Sequence, residues 1–483
     1  MAMAGIIAYG AYIPWHRMER QKCVSAWGGF GLPGEKAVAY FDEDSVTMAV
    51  EAARDCLGDL DSHAIDGLYF ATTTSPYKEK QCAAIMSIAL NMRRDIRTID
   101  VNTSLRAGAS AFGMAMDAIQ AGSANSVLVT AADTRLAAPA GMTEQGLGDG
   151  AGAILLGSEN VIAEIQGSYS ITDELVGTWR ADDDRYLRTW EDRMIMDEGY
   201  TKIIPKALTG IMKKYDLEPK DFAKVVFDSP VDGRRHGKAA ASAGFDPSQV
   251  QDPFTLFLNV GITGCAQPLM MLALALEQAK SGDKILFAGS GDGVDAFILQ
   301  VTDAIEKLPS RRGISGYLAS KKMMDSYNPF LTWKGIVPQE EARRPAKTPA
   351  KLSAMWRENK VQLGLWGIKC KQCGTIQYDD GAAATTPIRV CAKCGAQDDF
   401  DDYNFANKKA TVFSFTHDNL APVADPPASV VLIDFDGGGR AFFDLTDRDP
   451  AELEVGTQVE MTFRRMQINR GLSVYHWKAR PLR

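Results

Sequence analysis

The chain is short of the features that mark several large classes of protein. Its opening stretch, MAMAGIIAYGAYIP, has no basic residues ahead of the apolar run, so no signal peptide is expected. Apolar residues nowhere run unbroken for the ~18 positions a membrane helix needs, so no membrane span is expected. Positive charge is not in excess: 53 Lys and Arg stand against 61 Asp and Glu, a net charge of -8. That balance argues against a general nucleic-acid binder. Cysteine is sparse, with 8 in 483 residues. Cys23, Cys56, Cys82 and Cys265 are scattered rather than framed as disulfide partners, which suits a reducing cytoplasm. What remains is 46% hydrophobic and 24% charged, an ordinary globular composition. The length allows two or three domains.

From residue 1 to 305 helical and strand patterns alternate. Ser45 to Leu57 places apolar residues at helical spacing behind an acidic DED cluster that suits a helix N-terminus. GLYFAT (67–72) and SVLVT (126–130) read as short buried strands, and Ala107 to Ala121 as a helix rich in Ala and Met. The pattern then repeats. AFGMAMDAIQAGSANSVLVTAADT and PLMMLALALEQAKSGDKILFAGSGD each give helix, Gly turn and strand. GDGAGAILL (148–156) and GDGVDAFIL (291–299) follow them, each a tight turn into a further strand. The first copy carries an extra loop from about Thr134 to Leu147. Strands alternating with helices predict an α/β layered fold of two similar halves. Met114, Met116, Met270 and Met271, on the repeated helices, are expected in the core.

Beyond Leu308 the chain changes character. EARRPAKTPAK (341–351) reads as a linker. ATVFSFT, ASVVLIDF, RAFFDL, QVEMTF and LSVYHW then follow at close spacing with Gly, Asp and Pro between them, the pattern of a small all-β barrel. Ahead of the barrel, Cys370-x2-Cys373 and Cys391-x2-Cys394 form two knuckles, each followed by Gly. Two such turns close a tetrahedral four-thiolate site. Zinc is the natural occupant and would be structural, since four thiolates leave no open position; iron is the alternative. Residues 351–483 hold 17 basic and 17 acidic side chains, so this module has no net charge with which to hold nucleic acid. Arg464, Arg465 and Arg470 read as a solvated face or a local basic surface.

Two halves joined to a four-cysteine module resemble a known pairing. Residues 1–305 resemble the thiolase superfamily, in its 3-hydroxy-3-methylglutaryl-CoA synthase and ketoacyl synthase III branch, on YFDEDSVTMAVEAAR, GDGAGAILLG, WRADDDRY, LNVGITG and the GSGDG turn. Residues 351–483 resemble the zinc-ribbon and OB-fold proteins that accompany such enzymes. The resemblance implies a thiolase-like αβαβα layered fold of two similar halves, plus a C-terminal zinc ribbon and an all-β OB-fold. The divisions are 1–165 and 166–330 for the halves, 331–365 for the linker, 366–398 for the ribbon and 399–483 for the OB-fold. It also implies a homodimer, coenzyme A as substrate and a long pantetheine tunnel.

The branch carries a Glu, a nucleophilic Cys and a His. Matched by local motif, those slots hold Thr74 (in TTTSPY), Leu105 (in LRAGAS) and Asp228 (in FDSP), while an Asn persists as Asn259. Leucine cannot attack a thioester or hold an acyl group, so acyl transfer through a cysteine is not expected at this position. The residues open to a replacement chemistry are Asp228 as a base raised by burial, His236 in the basic surface loop GRRHGK as base or acid, Asn259 as an oxyanion donor, and Thr74. Tyr77 and Leu105 would line the substrate path, and Arg234, Arg235 and Lys238 would hold CoA phosphates or a substrate carboxylate. Cys265, at a helix start after Thr-Gly, reads as a small buried residue before it reads as a thiolate.

The expected function is therefore CoA-dependent making or breaking of a C–C bond in a β-keto acid or acyl-CoA. In the cleavage direction the CoA thiol would be the direct nucleophile, and an aryl β-keto acid is one candidate substrate. Retro-aldol cleavage of a β-hydroxyacyl-CoA and a non-catalytic subunit of an acyltransferase complex are the alternatives.

Overall fold

The computed structural model describes residues 3–102, 104–230, 232–340, 351–378 and 388–483. They gather into two compact units: Met1–Ala39, Asp44–Ser87 and Met92–Tyr327 form the first, and Tyr40–Glu43, Ile88–Asn91 and Asn328–Arg483 the second.

The first unit is built on one hydrogen-bonded sheet of nine strands: β1 (Gly5–Tyr12), β2 (Gly67–Thr72), β3 (Arg97–Asn102), β4 (Ser126–Asp133), β5 (Gly150–Gly157), β6 (Ala163–Thr172), β7 (Lys224–Phe227), β8 (Lys284–Ser290) and β9 (Gly293–Val301). Their order is β7-β8-β9-β6-β1-β5-β4-β2-β3. The sheet is two half-sheets meeting where Gly5 and Ile6 of β1 pair with Glu164 and Ala163 of β6. Each half repeats the other. β1–β5 and β6–β9 are antiparallel, β5–β4 and β9–β8 are antiparallel, and β4–β2 and β8–β7 are parallel. Even the outermost strand β3 has a remnant counterpart, a parallel bridge from Val225 to Val250. The repeat read from the sequence is thus a repeat of topology.

Helices complete five layers. Helix α1 (Ser45–Leu57) is capped by Asp44, which accepts from Thr47 N at 3.0 Å, and packs on β1, β5 and β4. Helix α2 (Ala107–Gln120) packs on β4 and β2 of the first half and on β8 and β9 of the second. Helix α3 (Thr201–Lys214) covers the outer face of β6, β8 and β9. Further along come α4 (Gly233–Ser242) and α5 (Phe254–Asn259). Helix α6 (Gln267–Gln278) packs on β5 and β1 as well as on β7 and β8. Helices α2 and α6 therefore form the middle layer between the half-sheets. Their composition explains it: a helix apolar all round can only be interior. Every residue of α6 from Gln267 to Leu276 is buried. In α2, Gly108 allows the close approach, since a Cβ there would lie 2.5 Å from the Cys265 carbonyl oxygen. One expectation fails here: Met116, Met270 and Met271 are core, but Met114 is 40% exposed, because it falls on the one turn of α2 that faces outward beside Asp117.

In the second unit α7 (Leu352–Arg357) and α8 (Asn359–Gly364) occupy part of the stretch read as a linker. The EARRPAKTPAK reading itself lies outside the described residues but for its last lysine. Strands β10 (Trp366–Cys370), β11 (Ile376–Gln377) and β12 (Phe400–Asn404) make a three-stranded ribbon in the order β11-β10-β12. The ribbon sheet thus takes residues past 398, where the OB-fold was expected to begin. Strands β13 (Lys409–Asp418), β14 (Ala428–Phe435), β15 (Arg440–Asp444), β16 (Gln458–Asn469) and β17 (Leu472–Pro481) follow in the order β15-β14-β13-β16-β17. The edges close through Thr446 N to the Ala479 carbonyl at 2.9 Å, which makes the sheet a barrel. Phe405, fully buried, packs on Phe435, Tyr378 and Tyr403 and ties ribbon to barrel.

Arg464 departs from its expected place. It is fully buried, with Asp447 at 2.6 Å, Glu43 at 2.5 Å and Asp42 at 3.5 Å. Lys478 reaches the same Asp42 at 2.9 Å. No basic patch forms around it, because an interior guanidinium is stable only when carboxylates surround it. Arg465 donates to the Phe41 carbonyl at 3.2 Å, and Arg470 is exposed.

Candidate functional site

Strand ends and helix starts meet twice in the first unit, once for each half, as the repeat requires. In the second half β7 runs out into Asp228 and β8 into Ser290. Ser290 donates its amide to Asp228 Oδ1 at 2.7 Å and its hydroxyl to Oδ2 at 2.6 Å. Burial lifts the Asp228 carboxyl to about 6, against the lowering pull of those two donors. The start of α2 closes on the same place. Ser104 Oγ donates to the Gly291 carbonyl at 3.3 Å, and a Cβ on Gly291 would lie 2.6 Å from Arg106 N and 3.1 Å from Leu105 Cβ. Only glycine lets the β8–β9 turn come so near, and it sets Leu105 beside the residue that follows Ser290. Leu105 stands two residues ahead of α2 and is half-buried. No cysteine lies in the chain between Cys82 and Cys265.

His236 is not in a surface loop. GRRHGK forms the start of α4, capped by Asp232, whose Oδ1 accepts from Arg234 N at 3.0 Å. That turn faces His236 inward. Its ring stacks on Phe227 with centroids 4.1 Å apart, and Nδ1 lies 2.8 Å from the Tyr200 hydroxyl, which in turn donates to the Asp228 carbonyl at 2.8 Å. Burial lowers the imidazole to about 4, so it is neutral at physiological pH. The structure thus brings Asp228 and His236 together through Tyr200. Arg234 and Lys238 point to solvent on α4, and Arg235 pairs with Asp197 at 3.2 Å.

In the first half the strand ends are Thr72–Thr74 after β2 and Asp133 at the end of β4. Asp133 is fully buried and collects five donors: Thr72 Oγ1 at 3.0 Å, Thr73 N at 2.7 Å, Thr73 Oγ1 at 2.9 Å, Thr74 Oγ1 at 3.0 Å and Cys265 N at 2.9 Å. Thr74 also accepts from Thr134 N at 2.9 Å, so its hydroxyl is engaged on both sides. Cys265 stands before α6 as Leu105 stands before α2. Its thiol is fully buried and held well above the ordinary range by that burial and by Asp133, the opposite of an activated nucleophile. Burial likewise raises Cys82 to about 12. Gln267 joins the two clusters: its amide donates to the Ser229 carbonyl at 3.1 Å and hydroxyl at 3.0 Å, two residues on from Cys265.

Asn259 ends α5, with Nδ2 donating back to the Thr255 carbonyl at 2.8 Å. Tyr77 lines an open depression beside β3 with Lys80, Gln81 and Thr98. Asp133, Ser290, Tyr200 and Gln267 escaped the sequence reading. The repeat offered the available signal, since it equates the ends of β4 and β8.

The four ribbon cysteines form a candidate metal centre. Their sulfurs all lie within 4.8 Å of one another, with Cys370 and Cys394 at 3.6 Å and Cys373 and Cys391 at 3.5 Å. A tetrahedral S4 zinc site with ~2.3 Å bonds has edges of about 3.8 Å, so the donor set fits. The knuckles match: Gly374 N donates to the Cys370 carbonyl at 2.9 Å and Gly395 N to that of Cys391 at 3.0 Å, both glycines with positive φ, +73° and +74°.

Comparison with known proteins agrees with this geometry. Hydroxymethylglutaryl-CoA synthase of Methanopyrus kandleri is 32% identical over 341 residues, covering 68% of this chain and 97% of that protein. The Methanocaldococcus jannaschii synthase is 32% identical over 337 residues, 67% of this chain and 96% of its own length. A solved HMG-CoA synthase complexed with CoA superposes with a TM-score of 0.62 at 19% identity, covering 71% of this chain and 92% of that one. The 3-oxoacyl-[acyl-carrier-protein] synthase III of Aquifex aeolicus gives 0.55 at 20% identity, with 62% and 99% covered. Residues 403–464 match the family model of the ChsH2 C-terminal OB-fold domain. These relatives and the five-layered fold mark an acyl-CoA acyltransferase-like enzyme of the thiolase superfamily, carried in one chain with an OB-fold. Within that class, the chain belongs to the hydroxymethylglutaryl-CoA synthase family.

Proposed function

We propose that the enzyme makes or breaks a C–C bond in a β-keto acid or acyl-CoA with the CoA thiol itself as nucleophile, without an acyl-cysteine. What supports this reading is that Asp228, a buried carboxyl raised to about 6, is bonded to Ser290, while the next residue, Gly291, lies against Leu105, the residue matched by motif to the nucleophile's slot. A base near neutrality is what a free thiol needs. In the cleavage direction the Asp228 carboxylate takes the thiol proton and the thiolate adds to the ketone carbon. The oxyanion collapses, the bond from that carbon to the neighbouring methylene breaks, and the carbanion takes the proton back from Asp228. The products are an acyl-CoA and the shortened acid. Asn259 keeps one Nδ2 hydrogen beyond the bond to Thr255 and serves the oxyanion. His236 acts through Tyr200 as a positioning residue, and Leu105 with Thr74 walls the path. Arg234, Arg235 and Lys238 on α4 hold CoA phosphates, Tyr77 the substrate arm.

The four cysteines hold a structural zinc, which fixes the ribbon fold and takes no part in the chemistry. The chain works as a cytoplasmic homodimer. The test mixes purified chain, CoA and a panel of β-keto acids, aryl acids included, and follows acyl-CoA by mass. Absence of product across the panel at high enzyme concentration contradicts the reading and favours an accessory role.

A further inference from the structure

Between residues 178 and 189 the first unit carries a short hairpin, with Thr178–Trp179 pairing to Arg188–Thr189. Two arginines lace it to the strand ends. Arg180 Nη2, on the hairpin, donates to the Thr73 carbonyl at 2.8 Å. Arg135, just past β4, reaches the other way, with Nη2 3.4 Å from Thr178 Oγ1. The Arg135 side chain runs over Gly264, where a Cβ would lie 2.7 Å from its Cδ and 2.2 Å from Asp133 Oδ2. Burial and Arg180 both disfavour the charge on Arg135, and Asp133 favours it.

The charge of the two arginines is only partly matched: Asp133 acts on Arg135 and Asp184 on Arg180. Among the described residues neither arginine forms an ion pair. The nearest carboxylates are already spent. Asp133 serves its five donors. Asp184 gives Oδ1 to Arg188 Nε at 2.9 Å and Nη2 at 2.6 Å, and Oδ2 to Ala181 N at 2.9 Å. Asp182 lies 3.3 Å from Lys78. Arg135 is half-buried, where a like-charged neighbour is costly unless an anion joins them. Each fork has made one hydrogen bond to the protein and keeps further N–H groups for a partner with two oxygens.

We propose that Arg135 and Arg180 form an oxyanion site that anchors a carboxylate of the substrate beside Thr73 and Thr74. The proposal deepens the reading above and rests on it for the substrate: it makes the preferred β-keto compound one that carries a carboxylate away from the bond that breaks. A CoA phosphate is the other source of the same chemistry.

Isothermal titration of the full chain with malonate, inorganic phosphate and CoA separates the sources. Malonate affinity falls about tenfold or more in Arg180→Gln, as the loss of one charge-assisted pair requires, and falls again in Arg135→Gln. CoA affinity stays within about twofold in both. Arg180 is exposed, so its variant folds, and equal melting temperatures check that. In turnover, KM for the keto acid rises by a similar factor with kcat little changed, which a purely structural hairpin contact would not produce. Equal malonate affinity in wild type and Arg180→Gln overturns the site. Arg180-dependent binding of phosphate and CoA, but not malonate, overturns the carboxylate assignment. Arg180-dependent malonate binding in a chain that forms no acyl-CoA upholds the site and counts against the catalytic reading alone.

Discussion

Ser290 meets Asp228 with both its amide and its hydroxyl, at 2.7 and 2.6 Å, one to each carboxylate oxygen. The pair sets how basic the proposed base is. Burial raises Asp228 and Ser290 lowers it, to a balance of about 6. Asp228→Asn removes the base and lowers turnover by ~10²-fold or more. Ser290→Ala removes the hydroxyl donor that favours the charged form, so the acid limb of the pH–rate profile moves above 6. A profile unchanged in Ser290→Ala, or full activity in Asp228→Asn, removes the pair from the chemistry.

Stability against pH reports the two neighbours with opposite sign. His236 has its folded value lowered from 6.5 to about 4, so it binds protons more readily when unfolded. Its contribution is full above pH 6.5 and is lost as pH falls toward 4. Asp228 is raised from 3.8 to about 6, so its burial favours the protonated fold, and stability drops as pH rises through that window. Urea unfolding of His236→Phe between pH 4 and 7 shows a shallower acid loss than wild type, and Asp228→Asn a steeper one. Parallel curves for all three proteins contradict these environments.

Asp133 holds the first-half site together, so its loss is structural before it is chemical. Asp133→Ala leaves five donors, on the buried Thr72 and Cys265 and the half-buried Thr73 and Thr74, without their acceptor, a cost of about 3–5 kcal/mol in unfolding free energy. Cys265→Ala removes a small buried thiol and costs about 1 kcal/mol, with turnover retained. Inactivation by a thiol reagent that maps to Cys265 runs against this account.

Removal of metal acts on the second unit. A strong chelator, or Cys373→Ser with Cys391→Ser, opens the ribbon from 366 to 404, seen as fast hydrogen exchange there. Elemental analysis finds one zinc per chain in the native protein. Iron in its place, or a ribbon indifferent to chelation, contradicts the assignment.

Periodicity carried most of the fold. Ser45–Leu57 and Gly67–Thr72 could be placed to the residue because a buried helix and a buried strand each leave an unbroken pattern. The CxxC pairs were equally plain, since each knuckle is local in sequence. Asp228 and Leu105 were singled out through the motifs FDSP and LRAGAS, which the structure places at the end of β7 and the start of α2. GRRHGK was misread as a loop: Gly233, Gly237 and three basic residues hide a helix whose cap is Asp232 and whose buried stripe is His236, Ala239 and Ala240. Arg464 was misread for a related reason, since nothing near it in sequence announces Asp42 and Glu43. Asp133 gathers donors from positions 72 to 265, and Arg135 and Arg180 are brought to one place only by the hydrogen bonds of the folded hairpin. Such sites exist in space and leave no spacing to read.

The central claim is a C–C bond reaction with CoA thiol as nucleophile and no acyl-enzyme. Quenched-flow with a turned-over β-keto acid, followed by intact-protein mass spectrometry, tests it most directly. The account predicts acyl-CoA accumulating while the chain keeps its unmodified mass at every time point. A transient mass increase equal to the acyl group, formed before acyl-CoA appears, would contradict it.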